Sequence, residues 1–376
     1  MKKCIVISDS FKGSLSSIEI GKIAKESVGK FFPDCEVITI PVADGGEGTV
    51  ECFLEALGGN EIKGTVTGPL SEKLKAAYGV IGDMAIIEMA AAAGLPLVKD
   101  KKNPLITTTY GVGEQIKAAI EGGAKRIILG LGGSATNDGG CGCAAALGVK
   151  FLDSNGHEFI PSGGTLKDIV SIDISDCQTI LSGVKVTAMC DIDNPLYGPH
   201  GAAYIFGPQK GADEKMVKEL DSGLVHLAEV IKSSLNKDVA LMPGAGAAGG
   251  FGAGCVAFLG AQLCPGIEVV LDTVGFDDLL DGADMVFTGE GRIDSQSLRG
   301  KVVIGVSRRA KAKGVPVIAV VGDVRDDAYG AYDMGVSAIF STNRLAIPFS
   351  EASLRSKTDY IHSFEDILRL IKIFEK

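Results

Sequence analysis

Three stretches of this chain repeat one local plan: an apolar run, a turn of glycines and small polar residues, then a helix-like segment. They are ISDSFKGSLS (7–16), RIILGLGGSATNDGGCG (126–142) and FTGEGRIDSQSLRGK (287–301). No other feature constrains the fold as much. A strand followed by a helical crossover is how parallel strands are joined, and it brings the post-strand turns to one edge of the sheet, where open α/β sheets bind ligands. Such a turn also exposes backbone N–H groups to an anion. Three of them, carrying hydroxyls and charged side chains, point to a phosphorylated ligand.

Taken in order, CIVIS (4–8) reads as a first strand. Ser16 and Glu19 form a capping box for a helix with Ile20, Ile23, Ala24 and Val28 on one face. CEVITI (35–40) is a second strand, ending in the turn DGGEGT before another helix. Near Glu61 the rhythm shortens to closely spaced strand-like pieces, with Gly82–Asp83 as a hairpin turn. A helix from Thr107 to Gly123 leads into the 126–142 loop, VKVTAMC (184–190) is a strand, and Asp213–Asn236 is an amphipathic helix. From Ala283 the strand–helix alternation returns: a helix is expected from about Ser297 to Lys313, and residues 362–366 are read as the cap of a last helix. The expected architecture is α/β with two domains. A discontinuous Rossmann-like parallel α/β domain (1–62 and 283–376) carries an inserted mixed α/β domain (63–282).

Composition removes several classes. A net charge of −10 without a basic run argues against nucleic-acid or anionic-membrane partners. The uncharged stretch Val239–Ile267 is long enough to span a bilayer, but Pro243 and its many glycines and alanines read as a packed loop and helix. Nine cysteines without metal-type spacing read as reduced thiols of a cytoplasmic protein, and Cys141 as packing. There is no GxxxxGK[ST] and no protein-kinase motif set. Gly244, Gly246 and Gly249 do fit GxGxxG, with Glu268 and Asp272 downstream. A nicotinamide-dependent oxidoreductase is therefore the alternative enzyme class.

The candidate site residues follow from the turns. Lys12, beside Asp9 and Ser10, offers a point charge for phosphate or carboxylate; a solvated loop lysine is the plain alternative. Arg292, flanked by Glu290, offers a guanidinium fork for the same groups. Asp191, directly after a strand, suits a hydroxyl proton, a magnesium ion or a turn cap. Asp44 and Glu47 suit a metal, a sugar hydroxyl or a helix cap, and Glu88 is a strand-end or buried acid.

SDSFKGSLSS, PVADGGEGT, EMAAAAGL, GLGGSATNDGG, CDIDNPLYGP and TGEGRIDSQSLRGK, in this order from the first strand to Lys301, resemble the bacterial glycerate kinases of the first class. The resemblance implies magnesium- and ATP-dependent phosphorylation of D-glycerate to 2-phosphoglycerate, with 3-phosphoglycerate as the other possible product. It makes Asp191 the candidate base and tentative magnesium ligand, with Lys12 and Arg292 as cationic contacts. Asp9, Ser10, Asp44, Glu88 and Glu290 are then expected around the substrate, and Gly132, Gly133, Ser134, Ala135, Thr136 and Asn137 around the nucleotide. A monomer or small homo-oligomer acting only on small molecules is expected.

Overall fold

The computed structural model describes residues 1–374. Contacts divide the chain into two compact units. One comprises residues 1–43, 55–57 and 267 onward; the other comprises 44–54 and 58–266. These breaks fall at 43/44 and 266/267, whereas the change of rhythm in the sequence falls near 62 and 283.

The first unit is built on a five-stranded, wholly parallel sheet. Its spatial order is Glu36–Pro41, Lys3–Ser8, Met285–Gly289, Val317–Val321, Val336–Ser341. In chain order this is 2-1-3-4-5, a doubly wound arrangement whose direction reverses between Lys3–Ser8 and Met285–Gly289. Both faces are covered, so Cys4, Ile5, Val6 and Ile7 are all buried and the strand reads as one apolar run. On one face Ile20, Ile23, Ala24 and Val28 of helix Ser17–Phe31 pack with Tyr360, Phe364, Ile367 and Leu368. Val303 and Ile304 of helix Val302–Ala312 pack with Ala319 and Val321 in a separate cluster.

Local expectations in this unit meet two corrections. The Ser16–Glu19 capping box is present, with both reciprocal hydrogen bonds. The last helix, however, begins at Phe349 and runs through Ile373, so residues 362–366 lie inside it rather than at its start. Ser363 and Phe364 are buried there and Glu365 accepts from Lys30 at 2.9 Å, tertiary contacts that no local capping signal reveals. The helix expected from Ser297 is split: a 3-10 turn, Ser297–Arg299, ends at Gly300 (φ +108°), and the α-helix starts at Val302.

The second unit carries a six-stranded mixed sheet in the order 262–264, 185–189, 126–130, 84–88, 73–81, 60–67. The four strands from 262–264 to 84–88 are parallel to one another, and the last two are antiparallel. The Gly82–Asp83 hairpin is as expected, with Ile81 opposite Met84 and Gly82 at φ +58°. Helix Tyr110–Glu121 carries the chain between the parallel strands 84–88 and 126–130, burying Val112 and Ile116. Helix Glu214–Leu235 is capped by Asp213, whose carboxylate accepts from Met216 N at 2.8 Å. Val239–Ile267 holds a turn, helix Ala247–Phe258 and the strand 262–264, and no helix of the described residues is long and apolar enough to cross a membrane.

Candidate functional site

In the first unit the reversal point of the strand order is lined by the predicted residues themselves. Asp9 follows Ser8, and its N–H donates to Gly289 O at 2.9 Å, so the turns after the two strands start side by side. Asp9 Oδ1 accepts from Ser10 N at 2.7 Å. Phe11 and Leu15 are buried and close a tight turn with reciprocal backbone bonds, which leaves Lys12 exposed at its tip. The second turn lies against the first: a Cβ on Gly291 would sit 3.4 Å from Phe11 Cα and 3.6 Å from Lys12 N.

Two charged side chains on that second turn differ sharply. Arg292 is half-exposed, its Nε 3.6 Å from Asp323 Oδ2 on the paired strand Asp323–Val324. Glu290 is only 4 % exposed, and its Oε1 has no hydrogen-bond partner. Burial raises its pKa to about 7, against the opposing pull of the Ser297 hydroxyl and Lys301 and with further help from Asp9 and Asp294. Such a carboxyl is poised to gain or lose a proton near neutrality.

In the second unit the parallel register sets Glu88 level with Gly130, and Gly130 level with Met189, so three post-strand segments share one edge. The turn carrying Asp44 packs onto that edge. Gly132 N donates to Gly45 O at 2.9 Å, and a Cβ on Gly130 would stand 2.3 Å from the same oxygen. Asp44 is exposed and accepts from Gly46 N at 3.2 Å. Asp191 is also exposed, and its Oδ1 accepts from Gly266 N at 2.7 Å, at the start of helix Gly266–Thr273. Glu88 acts as a cap: its Oε1 accepts from Val50 N at 2.7 Å, at the head of helix Thr49–Leu57. Its pKa is raised by burial, against the helix amides.

The 126–142 loop corrects one expectation. The helix after it spans only Cys141–Ala146, and the anion facing its N-terminus is the protein's own Asp138. That carboxylate is fully buried and accepts from Gly140 N, Gly142 N, Thr109 N and Thr109 Oγ1 at 2.8–3.2 Å. Upstream, Ala135 N donates to Ala93 O and Leu95 N to Gly133 O. Ser134, Ala135, Thr136 and Asn137 are buried, whereas Gly133 is exposed and Gly132 partly so. The open part of the loop is therefore its first half.

Sequence reasoning missed Lys210. It lies in the 3-10 turn Pro208–Lys210, is 2 % exposed, and donates to Ser134 Oγ (2.8 Å) and Thr136 O (2.6 Å). The signal available was a lysine between Gly207–Pro208 and Gly211, a tight turn where a solvated lysine is the ordinary reading. The GxGxxG alternative is overturned. No strand leads directly into Gly244, since the element before it is helix Glu214–Leu235; Ala248–Gly250 are left-handed, and the glycines serve close packing. A Cβ on Gly246 would lie 2.3 Å from Pro195 O, and one on Gly249 2.0 Å from Thr136 O.

Among protein families, the chain matches the model of the glycerate kinase family over residues 4–372. It is 50% identical over 353 residues to a glycerate kinase of Bacillus cereus, covering 93% of each chain. It is 49% identical over 342 residues to the glycerate 2-kinase of Escherichia coli K12, covering 90% of each. A crystal structure from Salmonella typhimurium LT2, whose own assignment as glycerate kinase 2 is provisional, superposes with a TM-score of 0.88 at 41% identity, covering 99% of this chain and 98% of that one.

Proposed function

Because this chain belongs to the glycerate kinase family, we propose that it transfers the γ-phosphoryl group of ATP to D-glycerate, giving 2-phosphoglycerate. The observation that carries the reading is where the acidic, cationic and glycine-rich motif residues fall: at the carboxyl ends of the parallel strands in each unit's sheet, where open α/β sheets bind ligands.

Phosphoryl transfer asks for positioning, charge neutralisation and a group to receive the hydroxyl proton. Asp191 receives that proton and orients the attacking oxygen, a role its exposure supports. Arg292 grips the glycerate carboxylate with its fork, steadied by Asp323. Lys12 neutralises the migrating phosphoryl group. Asp9, Ser10, Asp44 and Glu290 complete the substrate contacts, while Glu88 contributes by holding the head of helix Thr49–Leu57. Gly132, Gly133 and Ser134 contact the nucleotide phosphates, and Ala135, Thr136 and Asn137 hold that loop in shape.

Magnesium fits this residue set. Among the described residues no three or more His, Cys, Asp or Glu side chains gather into a metal cage. A magnesium ion bound with a nucleotide needs only one or two carboxylates beside phosphate oxygens and water, and Asp191 and Asp44 are exposed carboxylates of that kind. Bound there, it would supply positive charge to the phosphate oxygens. The acidic net charge fits small-molecule partners rather than nucleic acid, and a monomer or small homo-oligomer in the cytoplasm is the expected setting.

Phosphorus NMR of the product formed from D-glycerate and ATP tests the proposal. A phosphomonoester split as a doublet by one neighbouring proton is expected. A triplet would move the transfer to the 3-hydroxyl, and no new ester would overturn the activity.

A further inference from the structure

Lys210 raises a question that the proposed chemistry leaves open: why a lysine almost wholly shielded from solvent is aimed at the glycine-rich loop. Its side chain is 2 % exposed, and its ammonium spans the loop from Ser134 Oγ at 2.8 Å to Thr136 O at 2.6 Å. The turn carrying it is fixed. Gly211, at φ +94°, lies so close to Lys102 that a Cβ would meet Lys102 O at 2.7 Å.

The bond to Ser134 has a direction. A lysine ammonium has three donors and no acceptor, so Ser134 Oγ accepts and must offer its own proton elsewhere. A hydroxyl that accepts from a cation is polarised into a better donor. The backbone around it is also constrained. Ser134 and Gly94 form an isolated antiparallel bridge whose hydrogen bonds run from Leu95 N to Gly133 O and from Ala135 N to Ala93 O. In that pattern the N–H of Ser134 faces away from segment 93–95. Ser134 also adjoins Gly133, the exposed point of the loop.

We propose that Lys210 is a positioning residue acting through Ser134: it keeps the Ser134 hydroxyl a donor for a phosphate oxygen of the nucleotide. This rests on the loop's reading as the nucleotide contact. Burial lowers the Lys210 pKa to about 7, while Asp138 opposes the shift. The other charged groups at hand are accounted for: Lys102 donates to Gln209 O, and Asp213 caps its own helix. Once neutral, the amine accepts from Ser134, and the hydroxyl proton turns inward. The donor is thus present below about pH 7 and lost above it, and a bound anion opposes the loss by favouring the charged amine.

The test is a double-mutant cycle on ATP affinity, measured by calorimetry with Ser134→Ala, Lys210→Met and the pair, alongside thermal unfolding. Each single variant is expected to weaken ATP binding by about tenfold, the scale of one hydrogen bond to a charged group. The pair should be no weaker than the worse single, because both changes remove the same contact. In Lys210→Met, an affinity for ATP and a KM for glycerate both unchanged, or losses that multiply in the pair, would overturn the relay. Should Lys210→Met fail to fold, ATP affinity against pH decides. It should fall more steeply between about pH 7 and about pH 9 in the wild type than in Ser134→Ala, and equal slopes in both would overturn the relay. If the variants raise KM for glycerate and leave ATP binding alone, the nucleotide reading of the loop fails. The same cycle on that KM then decides the relay, non-multiplying losses supporting it and multiplying losses overturning it.

Discussion

The roles proposed for Glu290, Asp191 and Arg292 can be separated by experiment, because the surroundings of the three side chains differ. Asp191→Asn keeps the shape and the bond from Gly266 N but removes the proton acceptor. It should lower kcat by about 100-fold or more with KM for glycerate little changed, and turnover within a few-fold of wild type would remove the role. Arg292→Lys loses the planar fork and should raise KM for glycerate by about tenfold; unchanged steady-state constants would take Arg292 out of the site. Glu290 has a stability signature as well. Its folded pKa, about 7, lies above the ordinary glutamate value of 4.5, so between those values the folded state holds more of the proton. Stability contributed by this group therefore falls as pH rises through that window. The unfolding free energy of Glu290→Gln relative to wild type should climb from about pH 4.5 to about pH 7, and a flat difference would show that the carboxyl titrates normally. The residue types at these positions are legible in the sequence itself. The buried state of Glu290 is not, because burial is set by residues distant in the chain.

At the scale of elements, the sequence told most where a signal was short and self-contained. The Ser16–Glu19 box and the Gly82 hairpin need only their own neighbours, and both formed as read. Ser16→Ala should cost about 1 kcal/mol, read from the urea midpoint, and an unshifted midpoint would deny the cap. Signals shared with other elements misled. Residues 362–366 resemble a helix start, but they lie inside a helix that begins at Phe349 and packs through Tyr360 and Phe364. The 126–142 turn resembles an anion cradle, and its helix end is occupied by Asp138. Gly130 marks a contact between elements that only coordinates disclose. A Cβ there would meet Gly45 O at 2.3 Å. Gly130→Ala should therefore displace the Asp44 turn and cost about 1–3 kcal/mol, with kcat/KM falling in parallel. A variant of normal stability and activity would show that the two backbones need not approach.

For the molecule as a whole, the two units differ in how the chain assembles them. The second draws its core from one nearly continuous run, Val66 to Ala261. The first needs Lys3–Ser8 beside Met285–Gly289, strands from opposite ends of the chain. We propose that they are two domains. A chain of residues 44–266 alone should then unfold cooperatively, and a non-cooperative melt would deny it a domain's independence.

By itself the sequence determined the α/β class, the family and the identities of the chemical groups, since apolar runs, glycine turns and ordered motifs are written locally. Only the tertiary structure decided the 2-1-3-4-5 strand order, the self-capping of the loop by Asp138, and the burial of Glu290 and Lys210. Those depend on which distant segments pair and how much water they exclude, and no window of sequence contains that information.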